Sequence, residues 1–120
     1  MTKTADAPVL AYVVNPDGTG GMMDTDFAGI QELVEGYVEV IVGSLGGETV
    51  IACVNEDGLM AGKPVNNPAS AIVQEMHSPH ILVGTVVFVG DDGDEFAWPF
   101  GDIPQAAIEE ITTILEGKSK

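Results

Sequence analysis

The sequence predicts an α+β fold: a mainly antiparallel sheet packed by two or three helices, in a single domain over residues 1–120. Three observations predict it. The stretch from Ile30 to Asn67 reads IQELVEGYVEVIVGSLGGETVIACVNEDGLMAGKPVNN, a helix end, a glycine, and two strand-type runs joined by a turn too short for a parallel crossover. Ile81–Val89 (ILVGTVVFV) is the most apolar run and carries large residues on both faces, as a central, doubly covered strand does. Apolar residues recur at helical spacing in the sets Phe27, Ile30, Val34; Ala69, Ile72, Met76; and Ile108, Ile111, Leu115.

The elements follow in order. Residues 1–8 read as a flexible start. Val9–Val14 is a strand-type run, Asn15-Pro16-Asp17-Gly18 a turn, and Thr19-Gly20-Gly21 an extension of that loop. The first helix begins near Asp24 or Thr25, where acids meet the positive end of the dipole, and Gly36 supplies a left-handed stop. Tyr37–Val42 alternates, with Val38, Val40 and Val42 on one face and Tyr37, Glu39 and Ile41 on the other, so one face belongs to the core. Gly43–Glu48 is a glycine-rich turn, Thr49–Val54 the returning strand, and Asn55-Glu56-Asp57-Gly58 its closing turn. Leu59–Val65 is irregular or a short edge strand, since Pro64 argues against a central one. Asn67 caps the second helix with Pro68 at its first position, and His77-Ser78-Pro79-His80 ends it. Asp91–Asp94 turns the chain and Glu95–Phe100 forms a short strand. Asp102 and Gln105 have capping-box spacing before the last helix, which Gly117 stops.

Composition bounds the function. The 45% apolar content is that of a folded chain, and the apolar runs are far shorter than the about 20 residues that span a bilayer. The opening MTKTADAP lacks the apolar core of a secretory signal, and Cys53 is the only cysteine, so the expected location is the cytoplasm. Nineteen acids face four lysines and no arginine, a formal charge of -15. Such a chain repels nucleic-acid phosphate and anionic membrane surfaces. Solubility, attraction to a basic partner and imitation of DNA are the remaining readings of the charge.

No catalytic motif stands out. Val9–Gly21 runs from strand to glycines to helix, as phosphate loops do, but lacks the third glycine and has acids at the helix start. GLMAGK (Gly58–Lys63) has three residues between its glycines where a P-loop needs four, and Pro64 stands where a Ser or Thr would hold magnesium. His77 and His80 are the weak metal candidates, with Pro79 breaking the helix between them and Cys53 or Glu75 as conceivable third ligands. Asp91-Asp92-Gly93-Asp94-Glu95 matches a calcium loop in composition only. Ser44, Ser70, Ser78 and Cys53 sit in no nucleophile pattern. No cofactor is expected. The expected interaction surface is an aromatic and acidic patch of Phe96, Trp98, Phe100, Asp91, Asp92 and Asp94. A small domain nearly half apolar is also expected to cover a strand edge or that patch by forming a two-fold dimer.

Three segments together carry a resemblance: LVEGYVEVI (Leu33–Ile41), VNEDGLMAGKPVN (Val54–Asn66) and ILVGTVVFVG (Ile81–Gly90). They resemble a small domain-of-unknown-function family with LQELVGGYIE-like, NEEG-like, LPxN-like and IVGDVVVVG-like blocks in the same order. Glu35 departs from that pattern, which commonly has glycine there, as does Lys63, where leucine is usual. The family looks to be carried largely by bacterial viruses and mobile elements, and the resemblance implies no activity. The expected function is a non-enzymatic acidic accessory protein that binds a host protein or small molecule, with a role against host defence by analogy alone. The alternatives are a DNA mimic docking on a basic nucleic-acid-binding protein and a small enzyme or metal-binding protein.

Overall fold

Backbone pairing follows the alternation of the sequence. The computed structural model describes residues 8–58, 60–92 and 100–117. Among them the order is Val9–Val14 (β1), Gly20–Thr25 (β2), Phe27–Val34 (α1), Val38–Leu45 (β3), Glu48–Asn55 (β4), Asn67–Glu75 (α2), Val86–Asp91 (β5), Phe100–Gly101 (β6) and Gln105–Leu115 (α3). The strands form one antiparallel sheet in the order β2-β1-β5-β4-β3, with β6 paired to β5. The expected α+β class, an antiparallel sheet with helices against it, is therefore what the chain adopts.

The helices cover both faces. Val86 and Phe88 of β5 join Val14, Ala52 and Val54 in the layer beneath α2 and α3, while Val87 and Val89 join Val13, Ile51 and Cys53 beneath α1. Strand β5 is thus central and buried on both sides, which is why Val86–Val89 is apolar at every position. It is shorter than expected: Ile81–Thr85 is irregular, Gly84 has φ +72°, and Val83 makes an isolated bridge to Val65.

Several boundaries differ from expectation for local reasons. Gly20 and Gly21 open strand β2 rather than prolong a loop: Val14 pairs with Gly20 and Val9 with Thr25. A Cβ on Gly20 would lie 2.0 Å from the Val13 carbonyl oxygen, so glycine here permits close strand approach. Helix α1 is capped by Asp26, whose Oδ1 accepts from Gly29 N at 2.8 Å, one or two residues beyond the expected start. Its left-handed stop is Glu35 (φ 63°), not Gly36. Gly36 serves a different need, because a Cβ there would stand 2.7 Å from Asn55 Nδ2, and Asn55 donates to the Val34 and Glu35 carbonyls at 2.9 and 3.1 Å. The β3–β4 turn tightens to Gly46-Gly47, both at positive φ as a two-residue hairpin requires.

Asn66, not Asn67, caps α2. No side chain caps α3; Asp102 instead accepts from Leu10 N at 2.7 Å, and Ile103 N donates to Leu10 O at 2.9 Å. These bonds tie the start of β1 to the segment after β6. Gly117 ends α3 at φ +72°, as the sequence indicated. All but Pro8 of the expected flexible start at residues 1–8, and most of the Glu95–Phe100 strand, lie outside the described residues.

Candidate functional site

Strand β3 is the last strand of the sheet, and its outer side is open. Peptide groups alternate in direction along a strand. Glu56 N donates to Tyr37 O at 2.9 Å, so the groups of Tyr37, Glu39 and Ile41 face β4. Those of Val38, Val40, Val42 and Ser44 consequently face outward. The Ser78 hydroxyl approaches one of them, Val42 O, at 3.4 Å.

The side chains of β3 divide between the two faces. Ile41 packs toward the α2 and α3 layer and Val38 toward the α1 layer. Val40 and Val42 point to the α1 side, opposite Cys53 and Ile51, yet remain 45% and 53% exposed. The face of β3 that reads as core is thus covered only at Val38. The cause is position: α1 lies over β4 and β5, and the edge strand extends beyond it.

On the α2 side a groove of about 520 Å³ runs beside β3. Ile41, Val54, Leu82 and Val83 floor it, and Met60 (91% exposed) and Ile81 (72% exposed) rim it. Three carboxylates, Glu39, Glu56 and Asp57, also line it, and among the described residues no lysine does. The wall from Ser78 to Val83 is held by backbone geometry. His77 adopts φ 62° and turns the chain out of α2, Asn66 N donates to Leu82 O at 2.7 Å, and Leu82 N donates to Ser70 Oγ at 2.8 Å.

The residues singled out from sequence are dispersed. His77 and His80 are both exposed, and His80 lines the groove with Nδ1 2.8 Å from Ser78 O. Among the described residues no group of three His, Cys, Asp or Glu side chains gathers, so neither histidine finds the companions a metal needs. Cys53 is buried on the α1 side, and burial pushes its thiol up to about 12, so it offers no thiolate at neutral pH. Phe100 is buried in the α1-side layer and cannot belong to an exposed aromatic patch. It turns inward because its strand pairs with the central β5. Asp91, its register partner, and Asp92 are exposed; Phe96, Trp98 and Asp94 lie outside the described residues.

Other acids have local partners. Asp17 accepts from the Thr19 hydroxyl and amide at 2.6 and 2.9 Å, which holds its carboxyl below the usual range. The Lys63 ammonium donates to Glu35 and lowers that carboxyl likewise. The residues that sequence reasoning missed are Glu39, Val40, Val42, Met60 and Ile81. The β3 pattern was visible, but nothing local marks a strand as an edge.

Fold and groove define a small three-layer α/β/α domain whose β3 edge lies beside a mixed apolar and acidic groove. No helix of the described residues is long and apolar enough to cross a membrane. Residues 9–115 match the family model of the domain of unknown function DUF3846, and the chain belongs to that family. The resemblance seen in three sequence blocks is borne out at the level of an uncharacterised domain family, and the match extends beyond Gly90 through α3. Comparison with curated proteins and with solved structures gives no match.

Proposed function

We propose that the protein is a non-enzymatic accessory protein that binds another protein through the groove beside β3. One observation carries the reading. Among the described residues, the exposed apolar side chains of Met60 and Ile81 rim this groove beside Glu39, Glu56 and Asp57, and those of Val40 and Val42 stand exposed on the other face of the same edge strand. Isolated exposed apolar residues need no explanation, but a gathered set rimmed by charge is the ordinary form of a protein contact. Met60 is suited to such a surface because its unbranched, polarizable side chain adapts to the partner. The resemblance of three sequence blocks to a family that looks to be carried largely by bacterial viruses and mobile elements supports a partner in a bacterial host, and action against host defence is the proposal by analogy. The partners that Asp17, Asp26, Glu35 and Asp102 find within the chain favour structural roles for those acids over a copy of DNA phosphates.

The test is affinity capture from a bacterial extract with the wild-type chain and with the double variant Met60→Asp, Ile81→Asp. Both positions are exposed, so the variant folds. The expected result is a protein retained in stoichiometric amount by the wild type and lost from the variant. Identical capture by both, or none by the wild type above an empty-resin control, would overturn the reading.

A further inference from the structure

We infer that the open edge of β3 takes up an extended, basic peptide segment of a partner as an additional antiparallel or parallel strand. This rests on the groove reading above and names the partner's chemistry. The edge offers the outward N–H and C=O groups of Val38, Val40 and Ser44 and the N–H of Val42, whose carbonyl is already approached by the Ser78 hydroxyl at 3.4 Å, over a strand of typical length. An unprotected edge of this kind is a template for β-augmentation, in which main-chain bonds give affinity and alternate side chains give specificity.

The two faces of the edge differ, and the difference specifies the peptide. On the α1 side an added strand would lie against exposed Val40 and Val42, which calls for apolar side chains at every second position. On the groove side the intervening positions would meet Glu39, Glu56 and Asp57, and the one described lysine, Lys63, does not line the groove and pairs with Glu35. None of these three carboxylates has an ion pair among the described residues. Lysine or arginine fits there, the ammonium or guanidinium reaching the acids and the aliphatic stem packing on Ile41, Met60 and Ile81. The matching segment therefore alternates apolar and basic residues.

Charge also decides between this occupant and a second copy of the chain. Two chains of -15 would bring like-charged edges together, including Glu39 of each. A basic segment is attracted where a second copy is repelled.

The full chain is titrated with a synthetic peptide of alternating lysine and valine as long as β3, and with its glutamate–valine counterpart. The readouts are 15N amide shifts and hydrogen exchange. The expected result is binding of the lysine peptide alone, weakened by salt, with slowed exchange at Val38, Val40 and Val42. Val40→Pro removes an outward donor without touching the β4 ladder and is expected to weaken binding at least about tenfold. Glu39→Lys leaves the backbone intact and is expected to weaken the lysine peptide as well. Equal binding of both peptides, or unchanged exchange along β3, would overturn the inference. So would a salt-strengthened dimer that Val40→Pro dissociates, which assigns the edge to a second copy. If Met60→Asp, Ile81→Asp abolishes extract capture while Val40→Pro does not, strand addition fails and the groove reading stands.

Discussion

Asn66 holds three segments at one point, and its removal should be among the most damaging single changes in the chain. The side chain is fully buried. Its Oδ1 accepts from Ala69 N at 2.9 Å and caps α2, while Nδ2 donates to Val14 O at 2.9 Å and Gly84 O at 2.8 Å. Asn66→Ala loses the cap, at about 1 kcal/mol. It also leaves two buried carbonyls without that donor, at about 1 kcal/mol or more each. The sum is about 3 kcal/mol, a fall of roughly 10 °C in Tm for a domain of this size. Asn66→Asp separates the contributions, because it keeps the capping acceptor and turns the donor into a second oxygen facing both carbonyls. At neutral pH it should cost at least as much as Asn66→Ala. Burial and the two carbonyls would raise the introduced carboxyl above its unfolded pKa. Stability relative to wild type is then greatest at low pH and is lost as pH rises through the folded value. Urea and thermal denaturation of the three proteins between pH 4 and roughly pH 8 measure this. An Asn66→Asp protein as stable as wild type at neutral pH would refute the role of the two donor bonds, and a loss well under about 1 kcal/mol in Asn66→Ala would refute the cap as well.

Two further expectations follow from the backbone and the core. Glu35→Gly should raise Tm, because a residue with a Cβ at φ 63° is strained and the exposed pair with Lys63 returns little. Gly36→Ala should lower Tm by forcing Asn55 away, and the opposite order in thermal denaturation would contradict the assignment of the helix stop. Cys53 should resist a thiol reagent at pH 8 in the folded protein and react fully in denaturant. Because its folded pKa lies well above the unfolded thiol range, its contribution to stability is complete below that range and is lost as pH rises toward about 12. Rapid native-state labelling would contradict its burial.

Local chemistry was legible wherever one segment sufficed to specify it. The alternation of β3, the returning strand β4, the helical stripes of α1, α2 and α3, the Gly117 stop and the apolar run Val86–Val89 of β5 all appear in sequence because each depends on period and nearest neighbours. Caps and stops were less legible, since the candidates crowd together. Asn66 and Asn67 are equivalent in propensity, and only the Val14 and Gly84 carbonyls select the first. Glu35 takes the left-handed position that glycine would occupy more cheaply because Asn55, from another strand, claims the space beside Gly36. β2 went unseen because an edge strand of glycine and exposed residues has no apolar alternation to read. The groove was beyond the sequence altogether. That Val40 and Val42 are exposed, that Phe100 is buried, and that Met60 and Ile81 meet beside Glu39 depend on strand order and on where α1 and α2 come to rest. Those are long-range contacts, and no local pattern encodes which strand ends a sheet.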